Sequence, residues 1–208
     1  MKRIKSIALI FCCLIMVCTP IVVNAMESDI YHNQLTDRFN VEKFIQSMTE
    51  SHKELLIRSI ISKEEETMLA KTVYGEDRDQ NLMHRSAVIW SIFNRLDSDH
   101  YKENTIKELV THNQFHGYFP SQKHPRWTHI LVRDVALRYV LEKLGYENVG
   151  RTLPSDYLYF GGSTGVNRFR KHYKVDGHFW DWSCFDPYYG KYSFEDLGNK
   201  VSIKEIFE

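Results

Sequence analysis

Cysteine is scarce in this chain and unevenly placed. Four occur in 208 residues, and Cys12, Cys13 and Cys18 all fall within the first 18. Beyond them only Cys184 remains, and one thiol makes no internal disulfide. An excess of one charge is also missing, with 27 Lys plus Arg against 27 Asp plus Glu. That balance argues against binding through phosphate contacts, so no nucleic acid is expected as a partner. A phosphate-cradling loop is absent too, because Gly161-Gly162-Ser163-Thr164-Gly165 lacks the lysine and the spacing. There is no internal repeat, heptad array or low-complexity tract. What is present is ordinary for a folded chain: 43% hydrophobic and 26% charged residues, too apolar for disorder.

Residues 1–25 read as a secretory signal peptide. Lys2, Arg3 and Lys5 form a positive start, and the run Ile7 to Val23 is interrupted only by Cys, Thr and Pro. Val23-Asn24-Ala25 supplies a small-residue cleavage site. An uncleaved anchor is the alternative, although Pro20 would break a membrane helix and the run is slightly short to span. A lipoprotein reading of Cys18 meets a bulky Val17. Removing the segment takes three basic and no acidic residues, which leaves a net charge of −3. The expected location is therefore secreted or in the cell envelope, with membrane contact through the signal peptide only. About 183 residues remain, enough for a sizeable core without staples.

Along the mature chain, residues 26–61 form a leader that is helical in part. Phe44, Ile45, Met48, Leu55, Leu56 and Ile60 fall at roughly helical spacing. This stretch could pack on the domain or serve as a stalk. The main domain, 62–190, opens with Ser62-Lys63-Glu64-Glu65, a capping box. Met68, Leu69 and Val73 then line one helix face. A second helix is predicted over His84–Leu96, from Val88, Ile89, Ile92, Phe93 and Leu96. Thr105-Ile106-Lys107-Glu108 is another capping box, opening a short helix to Val110. The strongest helix is predicted over Ile130–Leu144, stopped by Gly145. Asp156–Phe160 reads as a short strand. Residues 191–208 form a C-terminal extension. The fold class expected is mainly α (α+β), with a small β or irregular element late.

Chemistry concentrates in Val73-Tyr74-Gly75-Glu76-Asp77-Arg78-Asp79-Gln80. Glu76 lies seven residues after Leu69 and three after Val73, on or near the buried helix face. Burial disfavours a carboxylate, so its pKa should rise, and a carboxyl that keeps its proton near neutral pH suits a general acid. A structural ion pair with Arg78 is the plain alternative.

The segment Leu69-Ala70-Lys71-Thr72-Val73-Tyr74-Gly75-Glu76-Asp77-Arg78 resembles the leading motif of the SleB-type cell-wall hydrolases, the spore-cortex-lytic family. There, a Leu-Ala-x-x-Val-Tyr-x-Glu-x-Arg run ends in the catalytic Glu. Ala87–Leu96, with its Asn94-Arg95 pair, is similar to the next helix of that family. Ile106–Val110 followed by Gln114-Phe115 is similar to its Ile-x-x-Val-Ile…Gln-Phe segment, and Tyr159-Phe160 with Gly177-His178-Phe179 to its closing aromatic elements. The four matches keep their order across about residues 64–180. The resemblance implies a lysozyme-like, lytic-transglycosylase-type helical fold acting on peptidoglycan glycan strands. This chain departs from it at Asp77, at Asp79-Gln80 and around Gly161–Lys174, which bears on substrate preference.

Two-carboxylate hydrolases need a second acid across the sugar. The resemblance instead favours a lytic transglycosylase, in which one Glu is acid and then base. Glu76 is therefore the expected catalytic residue, with no cofactor and no metal. Gln114 could hydrogen-bond a sugar or hold Glu76. Phe115 and Tyr118 could floor a sugar subsite or pack in the core. Tyr159 could hydrogen-bond near Glu76 or simply pack. Arg78 and the pair Asn94-Arg95 read as structural, the latter holding a helix end. An activating partner is possible for such enzymes. His112, His116, His124 and His129 lie within 18 residues, but without His-Glu-x-x-His they read as surface loop histidines. The tail His178–Tyr189, which includes Cys184, reads as core packing or a carbohydrate platform. Two other functions stay open: a non-catalytic wall-binding protein and a metal-dependent peptidoglycan amidase.

Overall fold

A computed structural model describes residues 41–77, 82–161 and 168–172, apart from the side chains of Asp77, Asn113, Gln114 and Arg168. Residues 1–25 (expected as a signal peptide), the start of the leader at 26–40, Arg78, Asp79-Gln80, the glycine-rich stretch after Gly161, the aromatic tail with Cys184 and residues 191–208 all lie outside these residues.

The described residues are mainly helical. The elements are α1 (Val41–Ser47), α2 (Glu50–Arg58), α3 (Lys63–Asp77), α4 (Leu82–Asp97) and α5 (Ile106–Leu109). A π-helical turn, Val110–Gln114, continues α5, and α6 (Arg126–Lys143) follows. Strands β1 (Tyr159–Gly161) and β2 (Arg168–Arg170) pair antiparallel, with Phe160 opposite Phe169.

Helix α6 is the centre of the fold. It packs against α2, α3 and α4, and its residues from Ile130 to Leu141 are buried without a break. A helix covered on all sides must satisfy its charges inside the protein. Arg138 does so through Asp134 at 2.9 Å, the Val149 carbonyl at 2.9 Å and Glu42 of α1. Opposite α6, α4 contributes Val88, Ile89, Trp90, Ile92 and Phe93, all fully buried. Phe93 stacks on Tyr139, with centroids 4.3 Å apart and ring planes at 9°.

A second charged cluster joins three helices. The Glu66 carboxylate in α3 accepts hydrogen bonds from Arg58 of α2, from His129 Nδ1 at 3.0 Å and from Arg133 Nη1 at 3.4 Å. Arg133 also reaches Glu54 at 2.6 Å, and Glu54 accepts from Arg58 Nε at 2.7 Å. These links, with buried Val41, Ile45, Leu56 and Ile57, dock α1 and α2 on the domain rather than leaving them as a stalk.

Local signals position the elements. Ser62 and Glu65 form the expected box: Glu65 N–H donates to Ser62 Oγ at 3.1 Å, and Ser62 N–H to Glu65 Oε2 at 3.0 Å. Thr105 and Glu108 form the second box. Gly145, at φ 93°, ends α6, and the following Tyr146 N–H returns to the Leu141 carbonyl at 3.1 Å.

Four boundaries differ from the sequence reading, the least of them α4, which runs Leu82–Asp97 rather than His84–Leu96. α6 starts at Arg126, before the apolar periodicity begins, because Pro125 serves as its N-cap in extended conformation. The strand is Tyr159–Gly161 rather than Asp156–Phe160, since α4 side chains take the carbonyls before it. Asn94 Nδ2 donates to Pro154 and Tyr157 carbonyls, each at 2.8 Å, and Arg95 Nε to the Leu158 carbonyl at 2.6 Å. The short α5 runs on as a π-helical turn, which delivers Phe115 to the core.

Candidate active site

Glu76 is the penultimate residue of α3, and its backbone is reached by a loop from across the molecule. Gly117 N–H donates to Glu76 Oε1 at 2.6 Å. The approach depends on two glycines. A Cβ on Gly75 would lie 1.8 Å from the Gly117 carbonyl oxygen, and one on Gly117 would lie 2.4 Å from the Glu76 nitrogen. No side chain fits on either, so loop and helix touch backbone to backbone.

Burial pushes the Glu76 carboxyl above its ordinary value. The Gly117 N–H and the charges of His116 and Arg95 pull the other way without cancelling it. The balance favours the neutral carboxyl more than in a free Glu, with a donor and positive charge beside the anion left after transfer.

Arg95 stands behind this carboxyl, only 5% exposed. Its guanidinium lies 4.7 Å from the Phe115 ring centroid, 5.4 Å from Tyr101, 5.8 Å from Phe160 and 5.9 Å from Tyr159. Burial lowers its pKa, and interactions with Tyr101, Tyr159, Glu76 and Glu103 offset part of that. Burial also raises the Tyr101 hydroxyl, against the pull of Arg95, and its hydrogen bond to Tyr159 adds to the rise. The Tyr101 phenol therefore stays neutral near the acid. Glu103, the other carboxylate that acts on Arg95, pairs with His112 Nδ1 at 3.2 Å.

The predicted site residues separate here. Phe115 is 4% exposed and packs between Arg95 and Phe160, so it has no face to offer a sugar. Tyr118 is half-buried against the core, two residues beyond exposed His116. Gln114 closes the π-helical turn just before Phe115. Tyr159 sits over Arg95 and Tyr101, and also lines a cleft of about 620 Å³ with Asp97, His100, Asp156 and Leu158. Glu76 does not line that cleft.

The histidines correct one expectation. His112 and His116 are exposed. His124 lies in the loop before α6 and His129 in the first turn of that helix, but both are half-buried rather than on the surface, and their Nε2 atoms are 2.8 Å apart. Glu66, which holds His129, has a lowered pKa: burial opposes this, but hydrogen bonds from His129 and Arg58 outweigh it. Among the described residues, no three His, Cys, Asp or Glu side chains converge as a metal site.

Sequence reasoning missed Glu66 and the reach of Arg95. Glu66 had a signal: it precedes Leu69, Val73 and Glu76 at spacings of three, four and three, on the same buried face. Arg95 had none, because its neighbours come from four separate segments: Glu76, Tyr101 with Glu103, Phe115, and Leu158 with Tyr159 and Phe160.

Comparison with known proteins adds no relative: no family model, no curated protein and no solved structure matches this chain.

Proposed function

We propose that this protein cleaves the MurNAc-GlcNAc glycan strand of peptidoglycan, as a lytic transglycosylase with Glu76 as its one catalytic carboxyl. The observation that carries the reading is the Glu76 carboxyl, raised by burial and held at 2.6 Å by the Gly117 N–H, within the electrostatic reach of Arg95. The ordered motifs from Leu69 to Phe179 support it through their likeness to the SleB-type family.

In this mechanism Glu76 donates its proton to the glycosidic oxygen, and the bond from that oxygen to the muramyl C1 breaks. The leaving sugar departs as an alcohol, and C1 acquires oxocarbenium character. The new carboxylate is stabilised by the Gly117 N–H and by Arg95 and His116. It then takes the proton of the muramyl 6-hydroxyl, whose oxygen bonds to C1 and closes a 1,6-anhydro ring. Glu76 is thereby reprotonated, and neither metal nor cofactor enters a step. The site of action is the cell envelope.

The test is mass spectrometry of soluble fragments from purified peptidoglycan, spore cortex included. Anhydro-muramyl ends are expected, and they disappear with Glu76→Gln. Reducing muramyl ends would replace the transglycosylase by a hydrolase and make Glu103 the candidate second carboxylate. Freed stem peptides would replace the glycan reading by an amidase. Binding without fragments would leave a wall-binding protein.

A further inference from the structure

We propose that Phe119 is a sugar-stacking platform that grips the glycan strand beside the bond being cut, so that tight binding requires a chain longer than two sugars. This rests on the glycan reading above. Among the described residues, Phe119 and Leu55 are the large apolar side chains that remain exposed, Phe119 at 59%. One exposed ring is unremarkable by itself. Its placement is the argument.

The turn that carries Phe119 is tied down on both sides. Before it, Gly117 N–H donates to Glu76 Oε1 at 2.6 Å. After it, the Pro120 carbonyl accepts from Lys71 Nζ. The Phe119 carbonyl itself accepts from Gln122 N–H at 3.0 Å. Further along, His124 is anchored through His129 to Glu66. Glu76 and Lys71 belong to the same helix, five positions and so about 7.5 Å apart along its axis. The turn therefore runs back along α3 from the acid, and Phe119 falls between the two ties. Two residues of backbone span at most about 7 Å, and with the side chain and the Gly117 bond added the ring lies within about three sugar rings of the Glu76 carboxyl.

The surroundings favour a sugar over other occupants. Next to Phe119 in the turn, His116, Pro120, Ser121 and Lys123 are exposed and Leu, Ile or Val is absent. A single phenyl amid polar groups is too small for a protein interface or for insertion into a lipid surface. It matches the C–H face of one pyranose, and with its backbone fixed it loses little freedom on contact. Covering one phenyl face removes roughly 55 Å² of apolar surface from water, which corresponds to about tenfold in affinity.

The experiment uses the Glu76→Gln protein, which should bind without cutting, and titrates peptide-free glycan chains of roughly two to eight sugars by calorimetry. Adding Phe119→Ala should weaken binding of the longer chains about tenfold and leave the disaccharide unchanged. Phe119→Trp should restore affinity, while Phe119→Leu, apolar without a flat face, should not. Thermal stability should be the same in all three, because the ring is not packed. Equal affinity of the Phe119→Ala and parent proteins at every length would overturn the proposal. A parent that binds no glycan at all would instead remove the functional reading, and this proposal with it.

Discussion

The Gly117 amide and the Glu76 carboxylate meet at 2.6 Å, in a contact that exists because Gly75 and Gly117 both lack a Cβ. A candidate general acid thus accepts a hydrogen bond from a backbone amide. Substituting either glycine changes the acid's surroundings without touching the acid.

Gly117→Ala should push the loop off α3, because its Cβ meets backbone that has no rotamer to escape into. The expected cost is about 1–3 kcal/mol in urea unfolding, as for other overpacked sites. Activity per folded molecule should fall as well, since the Glu76 anion loses its donor. Gly145→Ala is the control. It sits at φ 93° with nothing within 4 Å, so it should lose stability through backbone strain alone and keep its activity per folded molecule. Equal activity losses in the two variants would show that the loop contact is not what matters.

The raised pKa of Glu76 gives two linked pH effects. A general acid works protonated, so activity should decline as pH rises through its folded-state pKa, which lies above the ordinary 4.5. Stability follows the same sign. With the folded pKa above the unfolded one, the folded state binds the extra proton, so the Glu76 contribution is full below the unfolded pKa and fades as pH rises through the folded one. Glu76→Gln has no such dependence. Its melting temperature should equal the parent's in acid and exceed it by about 2 °C near neutral pH. A variant less stable than the parent at neutral pH would contradict the buried, strained acid.

Glu66 should show the opposite sign. Its folded pKa is lowered, so its contribution is present above the unfolded value and is lost as pH falls through the folded one. Glu66→Ala leaves Arg58, Arg133 and His129 without their shared acceptor in a site only 4% exposed. A loss of about 3–5 kcal/mol is expected in chemical denaturation. Glu66→Gln keeps an acceptor oxygen and should lose less. Chevron or equilibrium urea data showing under 1 kcal/mol for the alanine variant would mean that the cluster is not a structural tie.

Much of the scaffold was legible because it is written in local chemistry. The Ser62–Glu65 and Thr105–Glu108 boxes are hydroxyl and carboxylate spacings that satisfy free helix-start amides wherever they occur. The stripes of α4 and α6 mark their own burial. The π-helical turn was not legible, because nothing in Val110–Gln114 differs from a continuing helix. His129 was misread because its partner Glu66 stands 63 residues away in the chain, and His124 because its own contact is to His129. Glu76 was found through its spacing from Leu69 and Val73, whereas Phe115 could not be sorted between sugar and core until Arg95 was seen to cover it.

The covering of α6 on every side has a consequence for how the protein is made. Helices α2, α3 and α4 each direct their apolar faces toward a segment that begins at Arg126, after all of them in chain order. Until residues 126–143 have been synthesised, α3, α4 and α5 can touch one another, but the parts of these faces that meet α6 stay uncovered. The nascent chain therefore keeps part of its core uncovered until this element emerges, and the core is completed late around it.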